Sequence, residues 1–209
     1  MTRAFTKRPL KKVATALLIF LSASLLSQPS IGAPNNKQNI QLGNIAYSGN
    51  ACPNGSVSAS LKPNSTKLHI NFSNYIVETH GRNQRSLRKT CNIVLPIIVP
   101  AGMSISLVSA NYNGKVSLPA GSQARFMNSY SFSGRRGNRF RTDLIGPNNT
   151  GYSFRDPLSS LASVWSACGK NTTLRITTST KIKTSGIAGK TLADSRQGLV
   201  TQLRYRSCQ

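Results

Sequence analysis

An all-β domain, an antiparallel β-sandwich of jelly-roll or Greek-key type stapled by two disulfides, is what this chain predicts, and three observations predict it. Apolar and polar residues alternate in a series of short runs beyond residue 56. Turn chemistry rich in Gly, Pro and Asn separates those runs at intervals of about 8–12 residues. Four cysteines, Cys52, Cys91, Cys168 and Cys208, bracket the central runs. No helix-period stretch, heptad or internal repeat interrupts the pattern, and roughly eight to ten short strands are expected.

In chain order, residues 34–47 are polar with scattered aliphatics and read as a loose start with one edge strand. The Gly49-Asn50-Ala51-Cys52-Pro53-Asn54-Gly55 cluster is a turn that positions Cys52. Val57 to Leu61 is a short strand. Leu68, Ile70 and Phe72 then alternate with His69, Asn71 and Ser73, which turns His69 away from the core. The segment from Glu78 to Cys91 reads as a charged loop carrying Arg82, Arg85, Arg88 and Lys89. Asn92 to Val99 is apolar on both faces, as in a covered strand, although Pro96 has no N–H for a ladder and belongs at an edge or bulge.

Asn113-Gly114, set between Met103, Ile105 and Leu107 on one side and Val116 and Leu118 on the other, is the strongest hairpin signal in the chain. Phe126, Asn128, Tyr130 and Phe132 define the next strand. Residues 133 to 165 lose periodicity and read as a long excursion with one helical turn near Leu158 to Val164; within it Arg135, Arg136, Arg139 and Arg141 surround Phe140. Leu174, Ile176, Thr178, Thr180 and Ile182 face one way while Arg175, Thr177, Ser179, Lys181 and Lys183 face the other. Leu199 to Tyr205 closes the fold before Cys208.

Export is written at the start of the chain. Arg3, Lys7, Arg8, Lys11 and Lys12 precede a 14-residue apolar run, Val13 to Leu26, which is a signal peptide by pattern and too short to span a membrane. Cleavage after Gly32 divides the chain into a signal at 1–32 and a single secreted domain at 33–209, secreted or periplasmic, with no stable membrane span. The signal holds five of the 27 basic residues and none of the four acids, so the mature domain keeps a net charge of +18. In an oxidising compartment all four cysteines pair, which allows three connectivities. Metal binding is disfavoured because there is no Cys-x-x-Cys and His69 and His80 sit apart from the cysteines.

The ordered set Ala51-Cys52-Pro53-Asn54-Gly55-Ser56, Arg88-Lys89-Thr90-Cys91, Pro100-Ala101-Gly102, Tyr130-Ser131-Phe132-Ser133-Gly134, Ser166-Ala167-Cys168-Gly169, Asp194 and Leu203-Arg204-Tyr205-Arg206-Ser207-Cys208 resembles the secreted family catalogued as domain of unknown function 4360. The resemblance spans roughly residues 43 to 208. It implies an all-β, disulfide-bonded export and no particular activity.

No catalytic constellation emerges. Only Glu78, Asp143, Asp156 and Asp194 are acidic, no Gly-x-Ser-x-Gly elbow or phosphate-cradling Gly-rich loop occurs, and an even cysteine count leaves no thiol for nucleophilic work. Neither cofactor nor metal is expected. Excess positive charge points instead to anionic partners: anionic glycans, lipid headgroups or extracellular nucleic acid. The expected contact residues are Arg135, Arg136, Arg139, Phe140 and Arg141, with Arg82, Arg85, Arg88 and Lys89; the four loop arginines are expected to matter more than Arg175, Lys181 and Lys183 on their strand. A structural envelope domain is the alternative, and a secreted hydrolase a more remote one. Nearest-neighbour closure pairs Cys52 with Cys91 and Cys168 with Cys208, because each bridge then encloses a self-contained group of strands.

Overall fold

The computed structural model describes residues 40–80, 85–184 and 190–208. The expected signal segment at 1–32 and the expected contact residue Arg82 lie outside them. Fourteen strands and no helix run through the described residues: β1 (Gln41–Leu42), β2 (Ala46–Ser48), β3 (Val57–Leu61), β4 (Lys67–Phe72), β5 (Ile76–His80), β6 (Ser86–Ile98), β7 (Met103–Ser117), β8 (Gln123–Phe132), β9 (Arg135–Arg136), β10 (Phe140–Ile145), β11 (Gly151–Asp156), β12 (Thr172–Lys183), β13 (Lys190–Asp194) and β14 (Leu199–Ser207).

They form two seven-stranded antiparallel sheets packed as a sandwich. Sheet A has the order β1-β6-β12-β8-β10, with β2 also on β6 and β9 on β8. Sheet B has the order β3-β4-β14-β7-β13-β5, with β11 also on β7. In sheet B, β13 and β14 share one side of β7, since Asp194 pairs with Lys115 and Leu199 with Tyr112. They trace one interrupted strand, and β5 and β4 pair outboard of them in the same broken fashion.

Alternation on the long strands supplies the core. Leu174, Ile176 and Ile182 of β12, Ile93, Leu95 and Ile97 of β6, and Phe126, Tyr130 and Phe132 of β8 meet Ile105, Leu107, Ala110 and Tyr112 of β7 between the sheets, all buried. Each large apolar side chain so buried contributes about 1.5–3 kcal/mol relative to exposure. The Tyr75 hydroxyl, beside sheet B, reaches sheet A at Thr180 Oγ1 (3.2 Å) and Thr178 Oγ1 (3.4 Å). Burial there raises the Tyr75 phenol above its ordinary range, against the pull of those hydrogen bonds. Disulfides join Cys52 to Cys91 and Cys168 to Cys208. The first ties the turn before β3 to the middle of β6; the second ties the approach to β12 to the end of β14.

Several sequence expectations give way to the structure. Asn113-Gly114 is not a hairpin turn: β7 runs unbroken from Met103 to Ser117. The glycine is there because of a close approach, since a Cβ at 114 would overlap the Asp194 carbonyl and the Tyr152 hydroxyl. Without it, Tyr152 of β11 could not lie across β7 and hydrogen-bond Ser195 Oγ at 2.8 Å. The 133–165 excursion contains β9, β10 and β11, although its 158–164 segment does make the single expected turn, with Ala162 N–H on the Leu158 carbonyl. The charged segment after Glu78 is strand to His80 and strand again from Ser86. Val94 and Ile98 of β6 are part-exposed rather than covered. Pro96 is accommodated because its side of β6 faces the gap between β1 and β2, where its carbonyl accepts from Gly43 N–H at 2.9 Å.

Candidate functional site

On the outer face of sheet A the register decides which outward side chains meet. Four cross-strand rows result. The first is Arg88, Lys181, Arg125 and Asp143; the second is Thr90, Ser179, Met127 and Arg141; the third is Asn92, Thr177 and Ser129; the fourth is Val94, Arg175, Ser131 and Arg136. Rows are two residues apart, so Arg88 and Arg175 stand about 20 Å apart along the strands at roughly 3.4 Å per residue.

Two depressions of about 230 and 370 Å³ on this face share Ser129, Thr177 and Arg139 and therefore read as one groove. The first extends to Arg88, Thr90 and Ser179, the second to Ser131, Arg136 and Arg175. The walls carry four guanidiniums and no carboxylate. No ion pair is found for any of the four among the described residues; the ion pairs found use Arg125, Arg141 and Arg196.

The floor is hydroxyl-rich and contains no outward aromatic ring. Thr177 Oγ1 donates to Asn92 Oδ1 at 2.9 Å, and Ser179 Oγ accepts from Thr90 Oγ1 at 3.2 Å. Tyr130, which also lines the groove, is buried, and burial followed by the charge of Asp156 pushes its phenol well above the ordinary range.

Geometry separates the residues that charge alone had grouped. Arg88, Arg136 and Arg139 line the groove. Arg141 stands at its margin with its guanidinium 3.1 Å from Asp143. Arg135 pairs with inward-facing Phe132, so it has the opposite parity to Arg136. Lys89 pairs with buried Thr180 and likewise has inner parity. Arg85 is exposed beyond the end of β6. Phe140, one of the expected contact residues, turns inward and stacks on Tyr112, with centroids 6.0 Å apart and planes at 13°. Arg175, on its strand, lines the same depression as Arg136 and Arg139. The serine and threonine floor was missed, although its signal was present as the outward halves of the β8 and β12 alternations.

The carboxylates are engaged elsewhere. Hydrogen bonds from Arg125, at 2.7 and 3.1 Å, and from Arg141 hold Asp143 below the usual carboxylate range against the opposing effect of burial. Asp194 is pulled up by burial, but the hydrogen bonds and charge of Arg196 more than offset this and leave it low. Burial raises Asp156, whose Oδ1 accepts from Leu158 N–H at 3.0 Å. No group of three His, Cys, Asp or Glu residues gathers in a metal-binding arrangement among the described residues. A second basic cluster sits at the ring of Trp165, with Arg204 and Arg206 at 5.2 and 4.2 Å, but those cations are already engaged there, Arg204 also donating to the Ala162 carbonyl.

The family model described as Domain of unknown function (DUF4360) matches residues 38–208. The chain belongs to that family. An uncharacterized secreted protein of Arthroderma benhamiae is 28% identical to this DUF4360 member over 171 residues, covering 78% of this chain and 70% of the relative. With two disulfides, the family member is a secreted, extracytosolic β-sandwich. Among solved structures, TmCBM61 in complex with β-1,4-galactotriose aligns at 11% identity and TM-score 0.28, covering 78% of this chain and 88% of that one. A family 11 carbohydrate-binding module from Clostridium thermocellum, in complex with a β-1,3-1,4-mixed-linked tetrasaccharide, aligns at 11% identity and TM-score 0.20, covering 84% and 92%.

Proposed function

We propose that this protein is a secreted, non-enzymatic binding domain for anionic polymers and that the groove on the outer face of sheet A is where they bind. One observation carries the reading: Arg88, Arg136, Arg139 and Arg175 converge on one groove with no carboxylate among them. None of the four guanidiniums has a carboxylate partner among the described residues, and each matches a carboxylate, sulfate or phosphate with two parallel N–H donors. The surrounding surplus of charge adds long-range attraction, while the four arginines give it a place to act. Lysines 181 and 183 continue the positive strip along β12.

The test compares the parent with an Arg88→Ser/Arg136→Ser/Arg139→Ser/Arg175→Ser variant, binding each to a fluorescent polyanion across a salt series. Affinity should fall steeply with salt for the parent, and the slope of log K against log salt should shallow by roughly 0.7 for every arginine that had neutralised an anion. The melting temperature should stay nearly constant, since exposed charges contribute little to folding. Unchanged affinity and slope in the variant would sink the groove reading and leave a structural envelope domain whose charge acts diffusely.

A further inference from the structure

Resting on the groove reading, we infer that the polymer is an acidic polysaccharide whose anionic groups, carboxylate or sulfate, are carried on sugar rings with free hydroxyls. Guanidiniums alone do not distinguish such a chain from polyphosphate or DNA, because all three present oxyanions to the same fork. The floor between the arginines does distinguish them.

Its hydroxyls divide into complementary roles. Thr177 spends its proton on Asn92 Oδ1, so what it turns to a ligand is lone pairs. Ser179 accepts from Thr90, which leaves its own proton to donate. Ser129 and Ser131 make no side-chain hydrogen bond among the described residues and serve in either sense. A sugar hydroxyl is both donor and acceptor and satisfies every one of these positions. A phosphodiester or polyphosphate oxygen only accepts, so it would set lone pairs against those of Thr177 and leave that site unmatched in a partly dehydrated groove.

Nucleic acid is disfavoured on a second ground. Single strands are gripped by stacking bases on aromatic faces, and the groove offers none: Tyr130 is buried and Phe140 faces Tyr112. The row geometry suits one extended chain, with Arg136 and Arg175 in one cross-strand row and Arg88 about 20 Å away along the strands at roughly 3.4 Å per residue.

Binding of the full mature protein is measured against polygalacturonate, dextran sulfate, inorganic polyphosphate and single-stranded poly-dT at equal anion concentration and fixed ionic strength. Two variants accompany the parent: the four-arginine variant above and Ser129→Ala/Ser131→Ala/Thr177→Val, which removes floor hydroxyls without altering charge. At least one of the two polysaccharides should bind more tightly than polyphosphate and poly-dT, and the arm that wins identifies carboxylate or sulfate. The floor variant should lose about tenfold affinity for that polysaccharide, the effect of one or two net hydrogen bonds, and keep its affinity for polyphosphate and its salt slope. If the floor variant binds the polysaccharides as the parent does, or weakens equally on all four polymers, the ligand class is wrong although the groove stands. Preference for poly-dT or polyphosphate also overturns it. If the four-arginine variant loses nothing on any polymer, the groove reading itself fails.

Discussion

Gly114→Ala is the substitution on which the fold description can be tested most sharply. The methyl group would occupy space held by the Tyr152 hydroxyl and the Asp194 carbonyl, and neither is the free end of a mobile chain. Tyr152 is packed against Phe126 and Phe154, at 4.7 and 4.8 Å between centroids, and its hydroxyl is bonded to Ser195. Moving it forfeits a hydrogen bond of about 1 kcal/mol and two ring contacts of about 1 kcal/mol each, and overpacking adds at least about 1 kcal/mol. The expected loss is therefore about 4 kcal/mol, or roughly 8–16 °C in melting temperature for a domain of this size. Gly134→Ala is the control, because its φ is +77° but nothing stands within 4 Å of the added carbon, so only backbone strain of about 1–2 kcal/mol is at stake. Urea unfolding followed by circular dichroism reads both. If Gly114→Ala proves no worse than Gly134→Ala, Gly114 is an ordinary turn glycine and the path of β7 is wrong.

Two further outcomes follow from the same framework. Replacing Cys52 and Cys91 together by alanine releases a loop with a sequence separation of 39; the chain-entropy relation gives a loss of about 4 kcal/mol, and urea midpoints of the oxidised parent and the double variant measure it. Asp156, raised by burial, binds more protons folded than unfolded, so its contribution is fully present below the unfolded value of about 3.9 and is lost as pH rises through the folded one. Asp156→Asn should consequently stabilise the protein near neutral pH and flatten this part of its stability profile; a loss of stability at pH 7 with the profile unchanged would contradict that.

How far the fold could be read in advance depended on how cleanly each strand alternates. β12 and β8 have one face uniformly buried, so a period of two is unmistakable and both were located from their residues. β5 and the start of β6 were hidden because polar residues stand on both faces, Thr79 and Lys89 with inner parity and Arg88 and Thr90 with outer parity, which makes strand look like charged loop. The same masking affected β9 and β10, where Arg136 and Arg141 are outward. Asn-Gly misled for a different reason: the pair that favours a tight turn also leaves room for a neighbouring ring, and only the position of Tyr152 tells the two uses apart. For the groove, the charge of 135–141 was visible, but which arginines point together depends on cross-strand register, a long-range property that local pattern does not carry. Its hydroxyl floor could have been found by reading the outward residues of β8 and β12 as one surface.

The paired interruptions in sheet B lie side by side: residues 73–75 separate β4 from β5 and 195–198 separate β13 from β14, with Asn113 and Gly114 of β7 alongside. A seam therefore crosses the sheet at right angles to its strands, and two of the strands, β7 and β11, run through it. Neither disulfide includes a residue of the β5–β13 leaf, which is held to the rest by β7, by Tyr152 reaching over Gly114 and by the packing of buried Val77, Thr79 and Ala193 against sheet A. Amide exchange should consequently divide sheet B into two units, with β5 and β13 opening together at lower free energy than β4 and β14. Such an opening would free one end of sheet B while leaving the β4–β14 and β14–β7 pairings intact.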